Sequence, residues 1–199
     1  MFWYEEEVKR VEKESGRCAY VPEVIFYGSS SIRQWDSLYK DFREYKPLNL
    51  GFGGSTLAAC VWYFDRIMAP LEKAKSLIIY AGDNDLGDGR HPEEVFISFR
   101  QLVAQVREKF GNIPIGFISI KPSFSRWHII DRIRFTNKII EADVARKKDN
   151  LYFINTYDAM TDKNGLPIHK FFGADGLHLS AEGYALWKEI LFGQYSFIL

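Results

Sequence analysis

Five short runs of apolar residues, separated by longer amphipathic segments, are the feature of this sequence that most restricts its fold. Each run is almost continuously hydrophobic, which is typical of strands that are buried on both faces in a parallel sheet. Strands that alternate with helical patterns indicate a parallel sheet sandwiched between helices. We therefore predict an α/β fold of one three-layer α/β/α domain over residues 1–199. The five strands are predicted at Val24–Tyr27, Pro47–Leu50, Leu77–Tyr80, Ile113–Ile120 and Leu151–Ile154.

The segments between these runs carry apolar residues at helical spacing. A helix near Glu5–Glu14 is predicted before the first strand, as an N-terminal helical addition within residues 1–20. Ser180 is predicted to cap the last helix, whose body is Glu182–Ile190. The other predicted helices are Trp35–Arg43, Leu57–Met68, Pro92–Phe110 and Arg126–Lys147. Three tryptophans at helical positions are expected in the core: Trp35, Trp62 and Trp187.

The charges of the chain balance, with 26 Lys and Arg against 26 Asp and Glu. Without a basic excess, neither nucleic acid nor an anionic membrane is an expected partner. The opening MFWYEEEVKRVEKESG is too acidic for a secretory signal, and no apolar run reaches the roughly 18 residues of a membrane span. The two cysteines, Cys18 and Cys60, match no metal-binding spacing. We expect a cytoplasmic protein with reduced thiols.

Four loops of the predicted fold combine glycine with small polar or acidic residues. GSSS, NLGFGGST and AGDND follow the first, second and third strands, and GADGLHLS precedes the last helix. In parallel sheets, functional residues gather in the loops beyond the carboxyl ends of the strands. Glycine permits a close approach of the backbone to another group. The loops therefore indicate a functional site at that edge of the sheet.

A nucleotide or metal site is one interpretation of these loops. GFGGST begins like a dinucleotide-binding fingerprint, but Thr56 stands where the third glycine belongs, and the chain has no P-loop motif. Asp83, Asp85 and Asp88 lack the spacing of an EF-hand calcium loop. We therefore predict no metal and no cofactor. Because helix N-termini can hold an anion without a motif, an anion- or nucleotide-binding module on a flavodoxin-like scaffold remains an alternative.

Acyl transfer is the other interpretation. It needs a nucleophilic hydroxyl, a base, a group that orients the base, and donors aimed at the developing oxyanion. Of the four histidines, only His178 has a carboxylate close by in a glycine-bearing loop, at Asp175. This spacing in a turn can bring the carboxylate to the imidazole. The serines at 29–31 directly follow a buried strand. Alone they could be helix caps, but together with the Asp–His pair they indicate a nucleophile.

Together the four loops resemble the motifs of the SGNH (GDSL-type) hydrolases, and the resemblance runs from the first strand to the last helix. That family typically shows GDSIT, N.G.GG, GxND and DxxH. This chain has GSSSI, NLGFGG, GDND and DGLH in the same order. Any one motif alone is weak evidence, but four in order, each at its expected place, are a strong signal. The Gly-x-Ser-x-Gly elbow of the ordinary α/β-hydrolases is absent.

The resemblance implies roles for particular residues by their position. Ser30 matches the nucleophile, His178 the base and Asp175 the carboxylate that orients it. Gly54, Asn84 and the backbone N–H of Ser30 match the oxyanion hole. In the flavodoxin-like strand order 2-1-3-4-5, which we predict here, the first three strands are neighbours and bring these loops side by side. The expected activity is that of a serine esterase that cleaves small carboxylic esters through an acyl-enzyme intermediate.

One position departs from the family pattern, because Ser29 replaces the usual aspartate before the nucleophile. A serine hydroxyl can supply part of the hydrogen bonding of that aspartate but not its charge. A catalytically silent binding module on the same scaffold is therefore a second alternative. In a similar way, Asn84 could be only the former of an Asx turn.

The segment KPSFSRWH follows the fourth strand and should border the same edge of the sheet. Phe124, Arg126 and Trp127 are candidates for lining the acyl or alcohol pocket, with ordinary loop packing as the alternative. Phe172, just before Asp175, is a candidate for the other wall. The expected partner is a small-molecule ester.

Overall fold

A central sheet of five parallel strands organises the structure, a computed structural model that describes residues 1–199. The strands lie in the order β2-β1-β3-β4-β5, which confirms the predicted topology. Gly28, at the end of the first strand, is paired with Gly51 of the second and Tyr80 of the third, so these three strands end at one level. The strands are β1 (Val24–Gly28), β2 (Pro47–Gly51), β3 (Ser76–Tyr80), β4 (Ile115–Ile118) and β5 (Leu151–Ile154).

Eight α-helices connect and cover the strands. None of them combines the length and the apolar character that crossing a lipid bilayer requires. The Ser180 hydroxyl accepts a hydrogen bond from the N–H of Gly183 at 3.1 Å, so the predicted cap of the last helix is confirmed. The helices are α1 (Glu5–Gly16), α2 (Ser30–Arg33), α3 (Leu38–Asp41), α4 (Leu57–Met68), α5 (Asp83–Gly87), α6 (Pro92–Phe110), α7 (Ile130–Lys147) and α8 (Ala181–Gln194).

The two faces of the sheet bury separate hydrophobic cores. Because side chains alternate along a strand, Ile25 and Tyr27 of β1 point into one core, together with residues of α1, α4, α6 and α7. Val24 and Phe26 point into the other, together with residues of α2, α3 and α8. The layers are therefore helix, sheet and helix, as predicted.

Some predicted bounds are wrong, and contacts between distant residues explain one of them. Strand β4 stops before Ile120 because the Asn137 side chain takes both backbone groups of that residue: its amide oxygen accepts from the N–H at 2.8 Å and its amide nitrogen donates to the carbonyl at 2.9 Å. The single helix predicted at Trp35–Arg43 is instead the pair α2 and α3, and the predicted helix at Arg126–Lys147 starts as a 3₁₀ segment, Phe124–Ile129.

The prediction that Trp62 is a core residue is also wrong, since 69% of its surface is exposed. The buried residues of α4 include Cys60, Tyr63, Phe64 and Ile67, which follow the helical period along one side. Trp62 falls on the opposite side. Trp35 and Trp187 are buried at 1% and 0% exposure, as predicted.

The two kinds of tryptophan give a test of the fold. We expect Trp187→Ala to lower the free energy of unfolding by about 3–5 kcal/mol, because it empties a fully buried site. Trp62→Ala should change it by less than about 0.5 kcal/mol. Urea unfolding followed by circular dichroism measures both. Equal losses in the two variants would contradict the assignment of the second core.

Candidate active site

The end of β1 delivers Ser30 to the carboxyl edge of the sheet, as the first residue of α2. Gly28 has a φ of +143°. A Cβ atom there would lie 1.9 Å from the carbonyl oxygen of Tyr80, so only glycine fits. The N–H of Ser29 then donates to that same carbonyl at 2.8 Å. The turn out of the sheet is thus held by backbone contacts, and Ser30 follows it at the start of a helix.

Ser30, His178 and Asp175 form a continuous hydrogen-bonded chain. The Oγ of Ser30 lies 2.9 Å from Nε2 of His178, and Nδ1 of His178 lies 2.6 Å from Oδ2 of Asp175. A carboxylate can only accept, so Nδ1 carries the proton of the neutral ring. Nε2 is then an acceptor, and the Ser30 hydroxyl donates to it. The structure brings together the three residues predicted as nucleophile, base and orienting carboxylate.

The loop that carries Asp175 is closed by its own side chain. Oδ1 of Asp175 accepts hydrogen bonds from the N–H groups of Leu177 and His178, each at 2.9 Å. Burial acts to raise the pKa of Asp175, but these bonds and the bond to the His178 ring outweigh it and hold the pKa at about 2. Asp175 is therefore a carboxylate throughout the neutral range. Its second oxygen stays free to fix the imidazole.

The predicted oxyanion donors lie in the loops after β2 and β3. Gly54 has a φ of +67°, and its N–H has no acceptor within the protein. Ser30, as a first-turn residue of a helix, has no intrahelical acceptor for its N–H. The Asn84 side chain donates to the carbonyl of Ser55 at 3.1 Å and so links the two loops. This amide nitrogen has a second hydrogen to offer. The Asn84 side chain therefore bonds to the other loop rather than forming an Asx turn.

Asp85, in α5, also connects the segments that follow β2 and β3. Its carboxylate accepts from the N–H of Leu57 at 2.8 Å and from that of Ala58 at 3.4 Å, at the start of α4. Burial raises the pKa of Asp85 to about 6, although these backbone bonds oppose the shift. The residue after Asn84 thus anchors α4, the helix that follows residues 51–56 at the end of β2, which we call the glycine loop.

A buried charge network lies beneath the site, and sequence reasoning missed it. Nζ of Lys121 is bonded to Oδ2 of Asp83 at 3.0 Å, to the Tyr80 hydroxyl at 2.8 Å and to the Ser31 hydroxyl at 3.2 Å. Lys121 is only 1% exposed. Burial acts to raise the pKa of Asp83, but attraction to Lys121 and their hydrogen bond hold it below its usual range. The sequence held one signal of this network, since Asp83 and Lys121 follow the ends of the neighbouring strands β3 and β4.

Ser29, the residue in place of the family's aspartate, is buried. Its hydroxyl has no hydrogen-bond partner in the protein. Its side chain therefore does not take over the hydrogen bonding expected of that aspartate. The loop is instead held by the Ser29 backbone N–H and by the bond from Lys121 to Ser31.

Two of the four predicted lining residues border a cavity beside Asp175. Phe124 and Phe172 are in edge-to-face contact, with ring centroids 5.7 Å apart, and both line this space of about 580 Å³. Arg126 lies beside Asn84, with Nη2 3.5 Å from the amide oxygen. Trp127 is not among the residues that line the cavity; its ring packs beneath the guanidinium of Arg134 and against the core.

Comparison with solved structures finds the same fold in several bacterial proteins. A Streptococcus pneumonia protein provisionally described as a platelet activating factor superposes with a TM-score of 0.82 at 19% identity, covering 96% of this chain and 94% of that one. A GDSL-like lipase from Bacteroides thetaiotaomicron gives 0.81 at 21% identity, covering 96% and 98%. A lipase/acylhydrolase from Enterococcus faecalis gives 0.67 at 20% identity, covering 87% and 94%.

Among curated proteins, no sequence matches this chain. A family model does match: that of the GDSL-like lipase/acylhydrolase family aligns with residues 24–186. The match begins at β1 and ends within α8, so it includes all four loops at the edge of the sheet. It confirms the resemblance inferred from the motifs in these loops. The chain therefore belongs to the GDSL-like lipase/acylhydrolase family.

Proposed function

We propose that this protein is a serine acylhydrolase that cleaves small carboxylic esters through an acyl-enzyme intermediate. Membership of the family supports ester hydrolysis in general. The observation that carries the finer proposal is the hydrogen-bonded chain from Ser30 Oγ through His178 to Asp175, with distances of 2.9 and 2.6 Å. A binding module has no need of this arrangement.

In the first half of the reaction, Ser30 Oγ attacks the carbonyl carbon of the ester while its proton passes to Nε2 of His178. Asp175 stabilises the imidazolium that forms. The carbonyl oxygen becomes an oxyanion, which the N–H groups of Ser30 and Gly54 and the side-chain amide of Asn84 stabilise. His178 then returns the proton to the departing alkoxide oxygen. The products are a free alcohol and an acyl group on Ser30.

Water completes the cycle by the same route. His178 accepts a proton from the water as it attacks the acyl carbon, and returns that proton to Ser30 Oγ as the tetrahedral intermediate collapses. The products are the carboxylic acid and the free enzyme. Phe124 and Phe172 offer an apolar wall for the part of the substrate next to this site, and Arg126 lies beside the Asn84 amide.

Covalent labelling tests the nucleophile. A fluorophosphonate probe should modify Ser30, because the hydroxyl is bonded to an unprotonated imidazole nitrogen. Mass spectrometry of the digested protein locates the label, and Ser30→Ala is the control. Labelling at Ser29 or Ser31 would assign the nucleophile to that serine instead, and an unlabelled folded protein would favour the catalytically silent alternative.

The pH dependence tests the base. As the solution is acidified, kcat/KM should fall, because a His178 ring that is protonated at both nitrogens cannot accept the Ser30 proton. With its pKa at about 2, Asp175 stays charged until the solution is strongly acidic and does not cause this fall. Initial rates on 4-nitrophenyl acetate at constant ionic strength measure the profile. A rate that rises on acidification would exclude His178 as the base.

Asn84→Ala tests the oxyanion hole. The amide is proposed to bond to charge that exists mainly in the transition state, so kcat should drop roughly 10²–10³-fold, about 2.7–4 kcal/mol, with little change in KM. The measurement is steady-state kinetics together with thermal melts, because Asn84 also bonds to Ser55. An unchanged kcat in a folded variant would remove Asn84 from the mechanism, and a collapsed melting temperature would assign it a structural role.

A further inference from the structure

The N-terminal helix contacts the loop that carries the proposed oxyanion donor Gly54. Helix α1 lies outside the residues that the family model matches, 24–186. Its apolar side, with Val8 and Val11 fully buried, packs into the core that also contains α4. On a second side, Arg66 of α4 binds the carboxylates of Glu5 and Glu12. The helix is thus docked independently of its contacts with the glycine loop.

Three hydrogen bonds join this N-terminal segment to the glycine loop. The hydroxyl of Tyr4, the residue just before α1, donates to the carbonyl of Gly54 at 3.1 Å. Glu7 Oε2 accepts from the N–H of Gly53 at 2.8 Å. Arg10 Nη2 donates to the carbonyl of Gly51 at 2.7 Å. Positions 4, 7 and 10 are three residues apart and so share one side of the segment.

The two bonds nearest Gly54 hold the peptides on either side of the donor. The proposed donor N–H belongs to the peptide between Gly53 and Gly54. Glu7 holds the peptide before it and Tyr4 the peptide after it. Because each peptide is planar, only the dihedral angles of these two glycines remain to orient the donor. Glycine has the most conformational freedom of any residue, and the bond that closes this turn from within, from the N–H of Ser55 to the carbonyl of Phe52, is long at 3.5 Å. The contacts from outside the loop therefore add to the restriction of those angles.

Glu7 also reaches the helix that carries the nucleophile. Its Oε2 lies 3.7 Å from Nε of Arg33, the last residue of α2. Burial acts to raise the pKa of Glu7, but the bond from Gly53 and the charges of Arg10 and Arg33 hold it below its usual range. Glu7 is therefore charged at neutral pH and contacts both the glycine loop and the helix that begins with Ser30.

We propose that Tyr4 and Glu7 are positioning residues, which hold the N–H of Gly54 in the orientation that stabilises the oxyanion. This inference rests on the proposed function. It makes the N-terminal segment, outside the matched part of the chain, a component of the catalytic machinery. Since Gly54 is proposed to act on the transition state, loss of either residue should lower kcat rather than raise KM.

Kinetics of matched variants with 4-nitrophenyl acetate test this. Tyr4→Phe and Glu7→Met should each lower kcat roughly 10-fold, the scale of a small misplacement of a catalytic group, with KM unchanged. Glu7→Gln should restore most of the rate, because its amide oxygen can still accept from Gly53. If Tyr4→Phe does not fold, Glu7→Met and Glu7→Gln together carry the test.

Two control variants remove the same kinds of group elsewhere, a hydroxyl of α4 and a carboxylate of α1. Tyr63→Phe deletes a hydroxyl that donates to the carbonyl of Met1 at 2.8 Å, and Glu12→Met deletes a partner of Arg66. Neither deleted group is bonded to the glycine loop, and Tyr63→Phe keeps the ring that packs against Phe52 and Tyr4. Both variants should therefore keep the wild-type kcat. Equal kcat in all variants, or equal losses in variants and controls, would overturn the inference while leaving the proposed function standing. A wild-type protein that neither hydrolyses esters nor reacts with fluorophosphonate would overturn both.

Discussion

The buried ion pair of Lys121 and Asp83 is the interaction on which the geometry of the site depends. A charged group can be removed from water only when it is paired and fully hydrogen-bonded, and loss of one partner typically costs about 3–5 kcal/mol. Here the ammonium group has three partners, which come from α2, from the end of β3 and from α5. Asp83 in turn accepts from the N–H of Asn84 at 3.0 Å. One ammonium group thus fixes the separation between the proposed nucleophile loop and the proposed oxyanion loop.

The burial of Ser29 gives physical meaning to this unusual residue. Ser29 is only 1% exposed, so an aspartate at that position would be a charge in a region with almost no solvent. The serine is neutral, and its hydroxyl makes no hydrogen bond in the protein. The order of the loop comes instead from neighbouring backbone groups and from Lys121. A departure from the family pattern at one residue is therefore compatible with an ordered Ser30.

The strand order and the juxtaposition of Ser30, Asp175 and His178 could be predicted because their signals are local. Apolar runs mark the strands, and each motif directly follows a strand or precedes a helix. The contacts missed by sequence reasoning join residues far apart in the chain. Lys121 and Asp83 are separated by 38 residues, and Tyr4 and Gly54 by 50. Contacts between distant residues also explain the early end of β4, which Asn137 causes. They explain the exposure of Trp62 as well, because its orientation depends on which side of α4 meets the sheet.

The parallel arrangement of the sheet also affects how the site forms during folding. Ser30 and His178 are separated by 148 residues, and four of the five strands lie between them in the chain. Contacts over such long separations give a high contact order, which makes folding slow, because the entropy of loop closure is lost before the contacts form. No partly folded segment contains both ends of the hydrogen-bonded chain. The proposed catalysis therefore requires the chain from β1 to the loop before α8 to be folded, and a local unit is not sufficient.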